Sequence, residues 1–373
     1  MNAPPPVVAE RYRVADRAPH RPADLLLRWE SVLVLLLAAA IVVNTLISPH
    51  FLNVYNLSDA TADFSEQAII ALPMALLILV REIDLSVSAI IALASLAIGL
   101  CSRAGEPAWL LVAAALAVGA LCGAVNGALV AVVRLPSIVV TIGTMSLFRG
   151  IAQVALGDKA ITGYSNAFQS IGQGAVLDWP PLPASFVLFL LLSLVFGIAL
   201  HRTRYGRALY AIGSNPVAAR FSGLPVDRAR FLLFVLSGLL SGLAGALLTA
   251  RIGSTRPNIA LGWELTVVTM VVLGGFSIAG GEGTIPGLVL AVFLLGTVTW
   301  GLSLVNIPAV EISVLVGALM IVAIALPILL RRLTRHWRPE TAAPLRSRSI
   351  GNDDVPVSNR DFPDPEGAST RDQ

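Results

Sequence analysis

Ten long apolar segments constrain this chain of 373 residues more than any other feature of its sequence. A helix needs about 20 apolar residues to cross the hydrocarbon core of a bilayer, and a helix satisfies its own backbone hydrogen bonds there. Segments of suitable length and composition lie at residues 31–48, 61–80, 84–101, 108–133, 136–156, 183–201, 231–251, 264–281, 284–305 and 308–330. The pattern predicts an all-α, polytopic membrane protein with about ten transmembrane helices.

Composition excludes several soluble classes of protein. Hydrophobic residues make up 56% of the chain and charged residues 13%, about half the ~25% of an ordinary soluble domain. A single water-soluble core cannot bury that much apolar surface, so a plain cytosolic enzyme, a disordered protein and a nucleic-acid binder are all excluded. The two cysteines, Cys101 and Cys122, lie in or beside apolar runs and indicate no disulfide framework.

The distribution of basic residues predicts the orientation in the membrane. With the N-terminus placed inside, 17 arginines fall in inside segments, and four basic residues fall in outside loops. This asymmetry predicts that both termini are cytoplasmic and that the number of spans is even. Residues 1–30 and 336–373 are rich in proline and charge, so we expect disordered cytoplasmic tails on either side of a transmembrane domain at 31–335. The first apolar run starts about thirty residues in, and we expect it to act as an anchor.

Motifs for catalysis, metal binding and nucleotide binding are missing from the sequence. The single lysine, Lys159, does not lie in a phosphate-binding loop of the Gly-x-x-x-x-Gly-Lys-Ser/Thr type. The four histidines are far apart, and no Cys/His spacing fits a metal site. We therefore expect no catalytic residue, no metal and no cofactor in this chain.

Residues 202–230 form the longest predicted inside loop and contain the signals of a short helix. Ser214 or Asn215 can cap the helix start, and Pro216 suits its first turn. Residues 217–222 would form about two turns, and Gly223 can end them in the left-handed conformation. Asp227 is expected to cap the seventh span. Such a helix suits either a docking element, with Ala218 and Ala219 allowing a partner to approach closely, or an ordinary amphipathic connector.

At this loop the sequence resembles the permease subunits of bacterial sugar ABC importers of the ribose, xylose, rhamnose and autoinducer-2 group. The similarity covers about residues 50–330 in the family's order. The segments that carry it are Ile83-Asp84-Leu85-Ser86-Val87, Val125-Asn126-Gly127, Thr141-Ile142-Gly143-Thr144-Met145, Tyr205-Gly206-Arg207, Ala211-Ile212-Gly213-Ser214-Asn215, Leu236-Ser237-Gly238-Leu239, Arg251-Ile252-Gly253-Ser254, Val272-Leu273-Gly274-Gly275 and Gly280-Gly281-Glu282-Gly283-Thr284. The sequence departs from the family pattern at two places, which bear on the identity of the substrate more than on the mechanism. Arg81-Glu82 replaces the usual Gly-Gly, and Ser88-Ala89 replaces the usual Gly-Ser.

The resemblance implies an assembly in the bacterial inner membrane. A second permease subunit, either a copy or a sister chain, would pair with this one. Separate cytoplasmic ATP-binding subunits would hold ATP and magnesium, and a periplasmic solute-binding protein would deliver the substrate. The short loop helix would then be the coupling helix. The residues assigned to coupling are Ser214, Asn215, Pro216, Ala218, Ala219, Arg220 and Gly223. An inverted repeat is a further expectation from the family.

Polar residues inside the spans are candidates for the translocation path, because charged groups at membrane depth are costly unless they face a cavity or a partner. For the threonines the alternative is a hydrogen bond to a carbonyl of their own helix. For Asp63 and Glu66, one turn apart on a shared helix face, the alternative is a wet outer position. The candidates are Asp63, Glu66, Gln67, Asn126, Thr141, Thr144, Ser146, Glu264, Thr266 and Thr269.

Glycines suggest two further roles. Gly119, Gly123 and Gly127 share one face of the fourth span, and Gly238, Gly242 and Gly245 share one face of the seventh, which predicts close helix packing. A denser group is expected to break the eighth and ninth spans and to act as a gate. Its members are Gly274, Gly275, Gly280 and Gly281.

Three functions are compatible with these features. The first is a permease subunit of an ABC importer for a monosaccharide, such as rhamnose or ribose, or for autoinducer-2. The second is an ABC permease for branched-chain amino acids, which shares the architecture. The third is an ion-coupled secondary transporter, which fits less well because most acidic residues lie near span ends.

Overall fold

The computed structural model describes residues 29–336, so the predicted tails lie almost entirely outside the described residues. Helices make up most of the described chain, with four short strands. The helices are α1 Trp29–Ile47, α2 Val54–Leu79, α3 Val87–Arg103, α4 Ala108–Gly127, α5 Ser137–Leu156, α6 Asn166–Gln173, α7 Ala184–Arg202, α8 Arg204–Ser214, α9 Pro216–Phe221, α10 Val226–Ile252, α11 Trp263–Leu273, α12 Ile285–Leu304 and α13 Ala309–His336. Helix α4 continues as a π-helical turn, Ala128–Val132.

Seven described helices are long and apolar enough to cross a membrane: α1, α2, α4 with its π-helical turn, α5, α7, α10 and α12. The other three predicted spans coincide with shorter apolar helices, which are α3, α11 and the part Ala309–Leu319 of α13. A membrane-spanning helical protein is therefore confirmed, whereas the count of ten spans stays a prediction.

Two predicted spans have different limits in the structure. The second was expected at 61–80, but α2 begins at Val54, because the side chain of Asn53 accepts a hydrogen bond from the Tyr55 N–H and caps the helix there. The eighth was expected at 264–281, but α11 ends at Leu273. The chain turns at Gly275, whose φ of +91° is a conformation that glycine adopts freely.

The strands, which an all-α prediction omitted, lie between the helices. Strand β1 (Ile161–Thr162) pairs antiparallel with β4 (Ser254–Thr255), and β2 (Ala175–Asp178) pairs with β3 (Pro181–Pro183). The β1–β4 pair therefore joins the chain after α5 to the chain after α10.

Burial distinguishes central helices from those that face lipid. The hydrophobic side chains from Ala68 to Leu79 in α2, and that of Val80 just after the helix, are almost wholly buried. Helix α2 therefore lies at the centre of the core. In contrast, α1 exposes Leu35 and Leu46, and α5 exposes Val139 and Val154. Exposed apolar faces of this kind suit contact with lipid tails.

Helices α4 and α10 pack backbone to backbone through the two predicted glycine faces. A β-carbon added at Gly119 would lie 2.2 Å from the Gly238 carbonyl oxygen, and one added at Gly123 would lie 2.3 Å from the Phe234 carbonyl oxygen. A β-carbon at Gly242 would lie 2.3 Å from the Ala115 carbonyl oxygen. The predicted close packing is confirmed, and only glycine permits it at these positions.

This packing predicts that Gly238→Ala destabilises the protein. The added methyl group would collide with the backbone of α4, a type of overpacking that costs about 1–3 kcal/mol. Gly143→Ala is the matched control, because Gly143 also lies within a helix but has open space where the methyl group would be. Thermal unfolding of the purified full chain in detergent should show a lower midpoint for Gly238→Ala alone. Equal midpoints for the two variants would contradict the packing described.

Candidate functional site

The loop after α7 forms the short helix that the sequence predicted. The side chain of Asn215, rather than that of Ser214, caps α9: its Oδ1 accepts hydrogen bonds from the N–H groups of Val217 (3.1 Å) and Ala218 (3.0 Å). Pro216 occupies the first turn, and Gly223 takes the left-handed conformation at φ +82°. The preceding helix α8 was not predicted, although Thr203 caps it through the Gly206 N–H.

Asp227 does not cap the seventh span as predicted. Helix α10 already begins at Val226, and Asp227 lies inside its first turn. The carboxylate instead accepts a hydrogen bond of 2.6 Å from Arg220 and lies 3.9 Å from Arg134. The Arg220 pair joins α9 to the start of α10, and Arg134 joins the chain before α5 to the same place.

The surface of α9 combines exposed apolar side chains with one exposed arginine, Arg220. Phe221 is 90% exposed and Val217 is 61% exposed, and Ala218 also faces outward. Ala219, which was expected to face a partner, is 5% exposed and packs against the chain's own core. Contact with a partner would therefore involve Val217, Ala218 and Phe221.

Arg81 fastens this loop to the end of α2. Its Nε donates to the Gly213 carbonyl oxygen and its Nη2 donates to the Ser214 carbonyl oxygen, both at 2.6 Å. The backbone of Arg81 has φ +69°, in the left-handed region. The resemblance explains this value, since glycine is usual at this position and tolerates positive φ without strain.

Glu82, which replaces the second glycine of the usual Gly-Gly, also makes a long-range contact. Its Oε1 lies 2.9 Å from Nε of Arg230, near the start of α10. Burial raises the pKa of Glu82, because loss of hydration disfavours the charged form. Arg81 and Glu82 thus connect the end of α2 to the loop and to the start of α10.

The predicted gate glycines lie against the same place. The Gly281 N–H donates to the Leu79 carbonyl oxygen at 2.9 Å. A β-carbon on Gly280 would collide with the Arg81 side chain, and one on Gly274 would lie 2.6 Å from the Leu288 Cα. Residues 274–284, here called the glycine turn, therefore connect α11 to α12 in close contact with the end of α2. That the turn opens and closes as a gate stays a prediction.

Other contacts hold the glycine turn on two sides. The Tyr210 hydroxyl of α8 donates to the Gly283 carbonyl oxygen at 2.6 Å, and burial raises the pKa of Tyr210, which keeps the hydroxyl protonated. Trp29 Nε1 donates to the Leu273 carbonyl oxygen at 2.7 Å, and Thr284 Oγ1 donates to Glu30 at 2.9 Å. The turn is thus bonded to both α1 and α8.

Most predicted path threonines and serines bond within their own helices. Thr141 donates to the Ser137 carbonyl oxygen at 2.8 Å, and Thr269 donates to the Leu265 carbonyl oxygen at 2.7 Å. Thr144 and Ser146 make similar bonds at 3.4 and 3.2 Å. These contacts favour the alternative of a satisfied hydroxyl over a role in the path. Gln67 is half-buried.

Asn126 belongs to a buried polar cluster that sequence reasoning did not assemble. Its Nδ2 donates to Ser86 Oγ at 2.8 Å, and Ser86 Oγ donates to Asp84 Oδ1 at 2.6 Å. Ser237 Oγ of α10 donates to Asp84 Oδ2 at 2.9 Å. All four side chains are buried, so the cluster holds the start of α3 to α4 and α10. The segment Ile83-Asp84-Leu85-Ser86-Val87 was the available signal for Asp84.

Asp63 and Glu66 share a helix face as predicted, and both contact Arg251 at the end of α10. Arg251 Nε lies 2.8 Å from Glu66 Oε1, and its Nη1 lies 2.5 Å from Asp63 Oδ1. Glu66 is completely buried, whereas the side chain of Asp63 is 51% exposed. This end of α10 is opposite the loop, because a helix of 27 residues is about 40 Å long. Two of the predicted path acids are therefore paired in this structure.

This ion pair predicts that Arg251→Gln destabilises the protein strongly. Removing one partner leaves Glu66 buried and unpaired, which costs about 3–5 kcal/mol. The double variant Arg251→Gln with Glu66→Gln should recover most of the loss, because it removes the unpaired charge. Asp63→Asn is the control and should have a small effect. Thermal unfolding in detergent checks all three, and a double variant no more stable than Arg251→Gln would contradict the prediction.

Arg149 and Glu264 lie near the same end of the bundle. Arg149 is 8% exposed, and its Nη1 donates to the carbonyl oxygens of Pro257 (2.9 Å) and Ile259 (2.7 Å). Its Nη2 is buried without a hydrogen-bond partner among the described residues, and so is Oε2 of the half-buried Glu264. Arg149 and the predicted path residue Glu264 therefore retain unused hydrogen-bonding capacity.

Comparisons with known proteins agree with this architecture. The family described as "Branched-chain amino acid transport system / permease component" matches residues 56–325. The chain belongs to this permease family. It is 37% identical over 303 residues to the autoinducer 2 import system permease protein LsrD of Klebsiella pneumoniae, which is 80% of this chain and 91% of the relative. It is 36% identical over 302 residues to the proteins of the same name from Escherichia coli K12 and Shigella flexneri. In both cases the similarity covers 79% of this chain and 91% of the relative.

Membership establishes the general role of the permease. It is a transporter subunit of the inner membrane rather than an enzyme, as predicted, and the resemblance to sugar ABC importer permeases is confirmed. ABC permeases work in general with ATP-binding and solute-binding partners.

Proposed function

We propose that this permease carries autoinducer-2 or a related monosaccharide across the bacterial inner membrane, driven by a separate ATP-binding subunit that contacts α9. The similarity to the LsrD proteins, which covers 80% of this chain and 91% of its first relative, carries the substrate class. The exposed surface of α9 carries the docking site. Both termini and residues 202–230 then lie on the cytoplasmic side, in agreement with the distribution of arginines.

The surface of α9 suits a protein partner better than it suits water. A phenyl ring that is 90% exposed gains about 1.5–3 kcal/mol when it is buried, so a partner that covers Phe221 binds favourably. Arg220 on α9, and Arg204 and Arg207 on the preceding helix α8, are exposed and favour a groove with an acidic rim. The Asn215 cap and the Arg81 bonds hold α9 in place, so that a movement of the partner is passed on rather than absorbed.

The glycine turn provides the route from the loop to the spans. Arg81 contacts the loop through Gly213 and Ser214, and Leu79 contacts the turn through Gly281. ATP-driven movement of α9 would therefore reach α2, α11 and α12 together. A two-state opening needs such an element, which contacts the partner differently in each state.

The two alternatives are less well supported. The first relatives bear the name of an autoinducer-2 importer, which does not favour branched-chain amino acids as the substrate. An ion-coupled transporter needs free ionisable groups at membrane depth. Asp63 and Glu66 are paired with Arg251, and Asp84 is fully hydrogen-bonded by serines.

The test is ATP-driven uptake of autoinducer-2, ribose and rhamnose by the complete importer, with the variant Phe221→Asp. We expect Phe221→Asp to reduce uptake at least about tenfold, because a charge in an apolar contact costs about 1.4 kcal/mol or more. The amount of protein in the membrane should stay unchanged, since the side chain is exposed.

Phe221→Leu is the matched control and should retain most of the uptake. Removal of the ATP-binding subunit should abolish uptake by every variant. Uptake that persists without that subunit, or normal uptake by Phe221→Asp, would refute the proposed coupling.

A further inference from the structure

A cavity of about 590 Å³ opens at the end of the bundle opposite the loop. Its wall combines two separated parts of the chain: the end of α5 with the turn that follows it, and the segment after β4. The polar side chains in the wall are those of Gln153, Asp158, Lys159, Arg256 and Asn258. The volume lies within the range of about 300–1,000 Å³ that is typical of small-ligand pockets.

The side chains of this wall have hydrogen-bonding groups to spare. Asp158, Lys159 and Asn258 make no side-chain hydrogen bond among the described residues, and Arg256 makes one, from Nε to Ser254 Oγ at 3.2 Å. The wall thus offers one carboxylate, two cations and two amides, so it presents both hydrogen-bond donors and hydrogen-bond acceptors. A ligand with several hydroxyl groups satisfies all of them, because each hydroxyl both donates and accepts.

Other classes of ligand fit less well. A lipid-like molecule would leave the charged and amide groups unpaired, which is costly. A branched-chain amino acid could pair its charges with Asp158 and Lys159, but its apolar side chain would find only Ala160 and Pro257. The composition of the wall therefore favours a polyhydroxylated molecule.

Arg149 fixes one part of this wall through hydrogen bonds to its backbone. It lies one turn before Gln153 on α5, and its two hydrogen bonds to the Pro257 and Ile259 carbonyls fix the segment that carries Arg256 and Asn258. The unpartnered Nη2 of Arg149 and Oε2 of Glu264 add a buried donor and a buried acceptor near the same segment.

We propose that this cavity is a subsite that receives a small, hydroxyl-rich substrate as it enters the permease. The proposal rests on the proposed function and specifies where the substrate first meets this chain. Asp158 accepts hydrogen bonds from its hydroxyl groups, Asn258 both accepts and donates, and Lys159 and Arg256 donate to the same groups.

A cysteine-protection experiment tests the subsite. Asn258→Cys is made in a chain that also has Cys101→Ala, and the variant is assembled with its ATP-binding subunit. The rate of labelling by a maleimide is measured with autoinducer-2, ribose, rhamnose or leucine. We expect at least one of the first three to slow labelling about threefold when its concentration is twice its Kd, by simple competition. Leucine should have no effect.

Two controls make the result specific. The same measurement on Leu261→Cys, an exposed position after the cavity segment, should show no protection. Asp158→Asn should remove the protection of the cysteine at position 258, whereas Glu106→Gln, which changes an exposed acid elsewhere, should leave it intact.

Each other outcome overturns the proposal. No protection by autoinducer-2, ribose or rhamnose would show that the cavity does not bind the substrate. Protection by leucine alone would assign a different ligand class. If the loaded solute-binding protein, added as a further probe, gives protection while none of the free sugars does, the cavity is a protein-docking surface. ATP-driven uptake measured on the same preparation separates the two proposals: if uptake needs the ATP-binding subunit while the sugars give no protection, only the subsite fails.

Discussion

The hydrogen bonds of Arg81 determine how the loop helix is held against the membrane-spanning helices. One guanidinium group, at the end of the most buried helix, binds the last carbonyls of α8, and the neighbouring Leu79 carbonyl binds the glycine turn. Hydrogen bonds from a charged donor are roughly twice as strong as neutral ones. The backbone strain at Arg81, where φ is +69°, is tolerated in return for these contacts. Without them, α9 would be attached to the spans mainly through the buried Ala219 and the exposed Arg220–Asp227 pair.

Other contacts connect the membrane-spanning helices to one another, so that a movement of the loop reaches several of them. Glycine packing holds α4 against α10, and the Asp84 cluster holds α3 to both helices. At the opposite end, Arg251 joins α10 to α2 through a buried carboxylate. Helices α2 and α10 are therefore connected at two levels, by Arg230 with Glu82 beside the loop and by Arg251 with Glu66 in the middle of α2, so a displacement at the loop changes the packing of both. Interfaces that are packed this closely shift between discrete arrangements rather than deforming continuously.

Local signals in the sequence were sufficient for some features and not for others. Asn215, Pro216 and Gly223 act on their immediate neighbours, so the boundaries of α9 could be predicted from a few residues. The glycine faces were predictable because their period matches one side of a helix. The contacts of Asp84 with Ser237 and of Glu66 with Arg251 span 153 and 185 residues, and no local pattern encodes such pairings. The end of α11 was missed because Phe276 and Ile278 count as apolar although Gly275 has already turned the chain. The inward orientation of Ala219 depends on tertiary packing.

The membrane side of α9 is the most direct test of this account. A chain with Phe221→Cys and Cys101→Ala can be labelled with a maleimide that does not cross membranes, first in intact spheroplasts and then in inside-out vesicles. The account predicts no labelling in spheroplasts, labelling in inside-out vesicles, and loss of that labelling when the ATP-binding subunit is bound. Labelling of position 221 in intact spheroplasts would contradict it, because the loop would then lie outside the reach of any cytoplasmic partner.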